Sequence, residues 1–376
     1  MKITLKRTPE QIELVKAMAS RNRTVAYEAQ VALAEFIGPV LAEVINNAPT
    51  ISSLFTTLQF NADDNPSIPL DLYNDVNDED YVKVYSQSHA GGLPTNQVLP
   101  TASELKIATY GLDTAVSFDR RYAAKSRMDV VSKTFTRAAQ EILAKQETTS
   151  ATLVMGALAD AETNSSKHVR KSSSTGNRFL LDDINKMMTL SKRINGSFLG
   201  GTPAAGSARG ITDLIVSPEA VEELRAMAYN PISTKGGISS GAEGTAADGI
   251  AAPDEMRMSV YNSAGLPEFY GISIMEILEL GAGKRFTNLF DTAAGSTTYD
   301  SITFDANDDL VIGLDRSRDS LIRAVAVDED NGGEFNLIAD DQYSIRQNKI
   351  GYFGSIEEGR MVLDDRALVG TILNNA

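Results

Sequence analysis

The chain has 376 residues, 42% of them hydrophobic, a soluble globular composition that disfavours disorder and leaves room for two or three compact units. It contains no cysteine, which excludes disulfides, thiolate metal sites and a cysteine nucleophile and fits a reducing compartment. The formal net charge of −15 argues against general binding of nucleic acid.

The charge is uneven. Residues 1–23 hold Lys2, Lys6, Arg7, Lys16, Arg21 and Arg23 against Glu10 and Glu13, a net of +4, so the rest carries −19. That excess reads either as a solvated helix face or as an arm that touches nucleic acid or an acidic partner. No apolar leader fits between these early charges, and Val31 to Ile45 is interrupted by Glu35, Pro39 and Glu43, so no membrane span is expected. The protein is expected to be made in the cytoplasm.

Thr8-Pro9-Glu10-Gln11 has the form of a capping box with Pro at the first helical position, and Ile12, Val15 and Ala19 follow at helical spacing. Val25, Ala29, Leu33 and Phe36 continue the pattern until Gly38-Pro39, which is predicted to break it, and Leu41, Val44 and Ile45 resume it. Residues 8–47 therefore read as a helical arm. Between Asp63 and Asp80 lie seven acidic residues and no basic one. Tyr81–Tyr85 reads as a strand, 86–103 as a polar loop bearing Gly and Pro, and Leu105–Tyr110 and Thr114–Phe118 as returning strand. A hairpin this thin has too little core to stand alone and needs a surface to lie on.

Met128 to Ala161 carries Val131, Phe135, Ala138, Ile142, Thr149, Leu153 and Ala157 mostly three, four or seven apart, without proline. At 1.5 Å per residue this is a spine helix on the order of 50 Å long. Residues 162–177 read as a Ser-rich linker and a domain boundary, and Leu181 to Ile194 as a helix. Asp213–Val216 reads as a strand, with Ser217 capping a helix that starts at Pro218. Residues 233–252 hold five glycines and read as a loop. Gly271–Leu278 is expected as a buried strand, Thr298–Phe304 and Leu310–Leu314 as a hairpin turning at Asp305–Asp309, and Tyr343–Ile345 and Ile350–Phe353 as strands. No internal repeat is visible. The mixture predicts an α+β fold with helices and strands segregated.

Chemistry is hard to place on this chain. Its two histidines, His89 and His168, sit in polar segments with no ligand spacing and read as solvated loop residues. Gly281-Ala282-Gly283-Lys284 resembles a phosphate loop only in part: Leu278 stands where the first glycine belongs and Arg285 where the magnesium-binding hydroxyl belongs. Asp305 to Asp309 begins like a calcium loop, but Leu310 replaces the turn glycine and Arg316 the bidentate Glu. No nucleophile elbow or dinucleotide fingerprint is present. No catalytic, cofactor-binding or metal residue is therefore nominated, and no enzyme activity or cofactor is expected.

The order of elements resembles the Hong Kong 97-like major capsid fold. Local segments are similar too: Asp213–Ala220 to a strand–helix passage of the axial domain, Gly271–Glu276 to the strand that follows, and Gln342–Gly351 and Asp364–Leu368 to closing strands. The resemblance implies a helical N-terminal arm at 1–60 and an extended hairpin loop with its approach at 61–112. It further implies a peripheral domain at 113–177 containing the spine helix 128–161, an axial domain at 178–339, and a C-terminal return into the peripheral domain at 340–376. It implies a structural virion protein of a tailed bacteriophage, assembled in the host cytoplasm, self-assembling into pentamers and hexamers of an icosahedral head around double-stranded DNA. Its partners would be itself, scaffolding, portal and cement proteins, and DNA held by loose non-specific contact, with no membrane. Some relatives link subunits through a Lys in the extended loop. Residues 86–103 contain no Lys, the nearest being Lys83 and Lys106, so assembly is expected to be non-covalent. Three rival readings stand beside this one: an encapsulin-type nanocompartment, another virion protein forming rings or tubes, and an enzyme with an unrecognised carboxylate pair.

Overall fold

The structure, a computed structural model, describes residues 8–46, 48–61, 64–69, 104–163, 165–173, 178–198, 210–229, 268–269, 271–327, 334–340 and 347–373. The expected strand at 81–85, the hairpin tip at 86–103, the glycine-rich segment at 233–252 and the strand at 343–345 lie outside these residues. The chain forms two compact units: the first from 1–68, 105–150 and 322–361, the second from 69–104, 151–321 and 362–376.

The first unit begins with helix Pro9–Met18, whose cap is Thr8: its hydroxyl oxygen accepts from the Gln11 amide at 3.4 Å. Only half of the capping box forms, because the Gln11 side-chain carbonyl is buried without a partner. Helix Arg23–Asn46 then runs straight through Pro39, against the expected break. An interior proline removes one helical hydrogen bond and costs about 3 kcal/mol. Leu33, Ile37, Leu41 and Ile45 are all buried on one face, each contributing roughly 1.5–3 kcal/mol, which outweighs that loss. Pro39 itself is exposed, on the side away from this face.

These two helices share one apolar core with the first half of the spine helix, Met128–Asp160, and with a five-stranded sheet. The sheet is organised on strand Lys349–Val362, which runs antiparallel to Thr109–Asp119 from Lys349 opposite Asp119 to Gly359 opposite Thr109. Strand Asn336–Asp340 flanks its other edge, and Thr56–Asn61 lies parallel to Leu321–Val327. Leu321–Val327 and Asn336–Asp340 were read on sequence as the end of the 178–339 segment; here they pair within this sheet. Tyr352 sits at the centre, edge-on to Phe135 at 5.2 Å and stacked with Phe118 at 6.3 Å. Two glycines allow the layers to meet. A Cβ on Gly354 would lie 2.4 Å from the Phe335 ring, and one on Gly359 would lie 2.7 Å from the Ala108 carbonyl oxygen. At the foot of the expected hairpin, Ser67–Pro69 and Glu104–Lys106 form a two-stranded ladder.

In the second unit a six-stranded sheet runs in the order Val169–Lys171, Leu368–Leu373, Asp309–Leu314, Asp213–Val216, Ile272–Glu276, Glu268–Phe269. Every residue of Leu368–Leu373, Asp309–Leu314 and Asp213–Val216 is buried, which explains their continuous apolar runs in place of alternation. Ser217 caps helix Pro218–Tyr229 as expected, accepting from the Ala220 amide at 3.1 Å.

Four expectations fail here. Residues 162–173 are not a linker: 162–163 pairs with 166–167, and Val169–Lys171 joins the main sheet alongside Leu368–Leu373. Ile272–Glu276 is a strand but largely uncovered, with only Ile272 buried and the following Leu278 75% exposed. Thr298–Tyr299 folds back on Ile302–Thr303, through Asp300 and Ser301 at positive φ, while Asp309–Leu314 is recruited into the sheet, so no hairpin spans 305–309. Asp364–Leu368 is a capped turn into the last strand, the Asp364 carboxylate accepting from the Arg366 amide at 3.0 Å.

Gly359→Ala is expected to destabilise the first unit by about 1–3 kcal/mol, because backbone rather than a side-chain tip blocks the added Cβ. Ile37→Ala is expected to cost about 2–5 kcal/mol through the cavity it leaves in the same core. Equilibrium denaturation of both variants checks these values, and an unchanged midpoint for Ile37→Ala would show that the N-terminal helices are peripheral.

Candidate functional site

A dense, fully buried polar cluster lies inside the first unit, around Glu358. This carboxylate has no exposed surface. It accepts from Arg323 Nε at 2.9 Å, from Arg360 Nε and Nη2 at 3.1 Å each, from Gln146 Nε2 at 2.9 Å and from the Tyr110 hydroxyl at 3.0 Å. Arg360 thus grips it bidentately, donates its other terminal nitrogen to the Ser150 hydroxyl, and stacks over the Phe55 ring at 5.5 Å. Arg323 extends the network to the Asn46 side-chain oxygen at 2.9 Å, and Asn46 donates to Glu334 at 2.8 Å. Next along the spine helix, Glu147 accepts from the amides of Ile51 and Ser52 at 3.0 and 3.3 Å, holding the turn that follows the arm.

Each participant is placed by a separate element: Tyr110 by one strand, Glu358 and Arg360 by its neighbour, Arg323 by a third, Gln146 and Ser150 by the spine helix, Asn46 by the end of the arm. Burial pushes the Glu358 carboxyl up. The charges and hydrogen bonds of Arg360 and Arg323 outweigh that and hold it below its ordinary 4.5. Burial, followed by the Glu358 charge, pushes the Tyr110 phenol up to about 12, so it remains a donor. Among the described residues Arg323 Nη2 has no partner. Such a cluster is suited to fixing geometry rather than to chemistry, since every oxygen of the carboxylate is already engaged.

No residue of this cluster stood out on sequence. A signal was present. Ile350, Tyr352, Gly354, Ile356, Glu358 and Arg360 share one face of the strand by its period of two, so the apolar half predicts that the charged half points inward.

The segments weighed on sequence for other chemistry are committed to structure. His89 lies outside the described residues. His168 is buried, not solvated: Nδ1 donates to the Leu368 carbonyl at 3.1 Å, which leaves Nε2 to accept from the Thr163 hydroxyl at 2.7 Å. The Gly281–Lys284 turn has its amides occupied, Gly281 by Thr287 Oγ1 at 3.2 Å and Gly283 by the Ala306 carbonyl at 2.7 Å. Burial above all pushes the Asp309 carboxyl above its ordinary range. Its two oxygens take the Ser217 hydroxyl and the Leu310 amide, tying the strand to the start of a helix. Asp305 and Asp308 brace a turn, the Asp308 carboxylate accepting from the Asp305 amide at 3.0 Å. Among the described residues no group of three His, Asp or Glu is placed to hold a metal ion, and no helix is long and apolar enough to cross a membrane.

The chain is similar to solved capsid structures. It aligns with the capsid protein of the cyanophage P-SCSP1u over 85% of its own length and 86% of that chain, at 12% identity and a TM-score of 0.44. The mature capsid of bacteriophage PhiM1 aligns over 87% of each chain at 10% identity and a TM-score of 0.48. A virus-like particle from Pyrococcus furiosus aligns over 90% of this chain and 98% of its own, at 14% identity and a TM-score of 0.42. No protein-family model matches, and no curated protein matches.

Replacing Glu358 by Gln leaves two buried guanidinium groups without their counter-charge and is expected to cost about 3–5 kcal/mol. Because the folded-state carboxyl titrates below its unfolded value, its contribution is present above about 4.5 and is lost as pH falls through the lower folded value. His168 has the opposite charge type and acts in a different window. Burial lowers its pKa below the ordinary 6.5 despite the nearby Asp365 and Asp364, so acid favours the unfolded chain from about 6.5 downward. The melting temperature is expected to fall between pH 7 and pH 5.5, conditions on either side of that value, and His168→Gln is expected to flatten that interval while leaving the steeper loss at lower pH.

Proposed function

We propose that this chain is a shell-forming structural protein, the major capsid protein of a tailed double-stranded DNA bacteriophage, with a Hong Kong 97-like fold. The observation that carries the reading is the return of the C-terminal segment. After the 229 residues of 120–348, Lys349–Val362 pairs along the whole of Thr109–Asp119, and Leu368–Leu373 then enters the second sheet between Val169–Lys171 and Asp309–Leu314. Together with the helical arm, the ladder at the foot of the long hairpin and the 33-residue spine helix, this reproduces the order of parts on which the resemblance rests. In these terms 1–60 is the arm and 61–112 the extended loop, the peripheral domain is built on 113–150 with 322–361, and the axial domain on 151–321 with 362–376.

Subunits form pentamers and hexamers and close an icosahedral head, helped by scaffolding, portal and cement proteins during assembly in the host cytoplasm. The net charge of −15 suits a wall that contains DNA without adhering to it, since tight binding would oppose loading and release. The absence of Lys from 86–103 favours contacts that are not covalent. Catalysis has no part in the reading: the buried polar groups serve the fold.

Light scattering and electron microscopy of the expressed protein provide the test. Closed particles are expected, migrating as one band on a denaturing gel; a stable monomer or dimer under assembly conditions refutes the shell, and a ladder of linked multimers refutes non-covalent assembly. Particles recovered from an infected host are expected to contain DNA. Particles holding a cargo protein in its place would make the chain a nanocompartment shell.

A further inference from the structure

Two uncovered segments of the first unit have opposite character. On helix Arg23–Asn46, Val25, Ala32, Phe36 and Val40 follow at spacings of seven, four and four, which sets them on one face, and all four are exposed, Phe36 by 54%. Glu28 and Glu35 run along one side of this stripe and Glu43 closes its end. From residue 24 to 46 there is no basic residue. Residues 120–137 are the reverse: six basic side chains, Arg120, Arg121, Lys125, Arg127, Lys133 and Arg137, stand against Asp129 alone, beside a Tyr122 that is 45% exposed. Within the chain these groups do not meet. Among the described residues, Glu28, Glu35 and Glu43 make no ion pair, and neither do Lys125, Arg127, Lys133 or Arg137.

We propose that the acidic-rimmed apolar face of helix Arg23–Asn46 docks on the 120–137 segment of a second copy of this chain. The inference deepens the shell reading and rests on it. A chain of net charge −15 repels its own copies over most of its surface, so a copy approaches best where the sign reverses, and 120–137 is such a place. The apolar stripe and Tyr122 supply the area to be buried, and the unpaired charges set the register. Because the two faces differ, the contact is head-to-tail, and head-to-tail contacts close into rings when the rotation permits. That is the symmetry a capsomer requires.

A charge swap tests the contact. Glu28→Lys, Glu35→Lys and Glu43→Lys together, or Lys125→Glu, Lys133→Glu and Arg137→Glu together, are each expected to raise the concentration needed for assembly by about ten-fold or more. All six substitutions in one chain restore the pairing and are expected to restore assembly. A control carrying Glu222→Lys, Glu268→Lys and Glu279→Lys makes the same change in net charge in the second unit and is expected to assemble as the parent does. Circular dichroism and thermal melting establish that each variant is folded. If the six-site chain assembles no better than the three-site chains, or if the control fails equally, the contact is refuted. It is refuted too if reversing 120–137 leaves assembly intact but removes nuclease-protected DNA, because that segment then faces nucleic acid. Failure of the parent chain to form closed particles tells against the shell reading, and rescue by the six-site swap in whatever smaller oligomer it forms still upholds the contact.

Discussion

Glu358 is a carboxylate with no exposed surface, and taking such a charge out of water costs several kcal/mol unless its oxygens are satisfied. The first unit meets that requirement with five hydrogen bonds from four side chains. The requirement also fixes strand register. Glu358 lies directly opposite Tyr110 in the ladder between Lys349–Val362 and Thr109–Asp119, and the tyrosine hydroxyl is one of its donors. A slip of one residue would turn Glu358, Arg360 and every apolar residue at alternate positions to the other face, stranding charge and exposing Tyr352 together. Hydrophobic packing and ionic pairing therefore select the same register, and either alone would be less discriminating.

The same cluster explains why the N-terminal helices belong to the core. Asn46, at the end of the arm, accepts from Arg323, and Glu147 of the spine helix holds the turn at Ile51 and Ser52. Between those two anchors and Thr8, the arm buries Val15, Met18, Leu33, Ile37 and Leu41. The continuity of the helix across Pro39 follows from this. A proline break would rotate Leu41 and Ile45 away from the face that Leu33 and Ile37 occupy, and the burial lost would exceed the missing hydrogen bond.

What could be read from the sequence divides along physical lines. The spine helix, predicted over 128–161 and found over Met128–Asp160, is long enough for periodicity to be unmistakable, and Ser217-Pro218 carries its own cap chemistry. These signals are local. Pro39 and 162–173 misled because local rules met a tertiary override: a packed face in the first case, a free edge of Leu368–Leu373 in the second. His168 looked solvated among serines and lysines, yet it is buried, and Leu368, 200 positions later, supplies its carbonyl partner. The Glu358 cluster was hidden for a related reason. Three of its four donors, Tyr110, Gln146 and Arg323, come from other stretches of chain, and only the alternation along Ile350–Ile356 pointed at its direction.

The two units carry different responses to acid, and the difference follows from how each hides a titratable group. In the first, a carboxylate is paired, so protonation removes a partner from two arginines and the effect belongs to strongly acidic conditions. In the second, an imidazole is held neutral between a carbonyl and a hydroxyl, so protonation puts a charge in a buried site that the nearby Asp365 and Asp364 compensate only in part, and the effect begins near neutrality. Mild acid therefore reaches His168, in the unit that contains 151–321, before strong acid reaches Glu358 in the other. The faces on helix Arg23–Asn46 and on 120–137 both belong to the unit that contains Glu358. The buried histidine and the buried ion cluster thus lie in different units, so mild and strong acid act on different stretches of the chain.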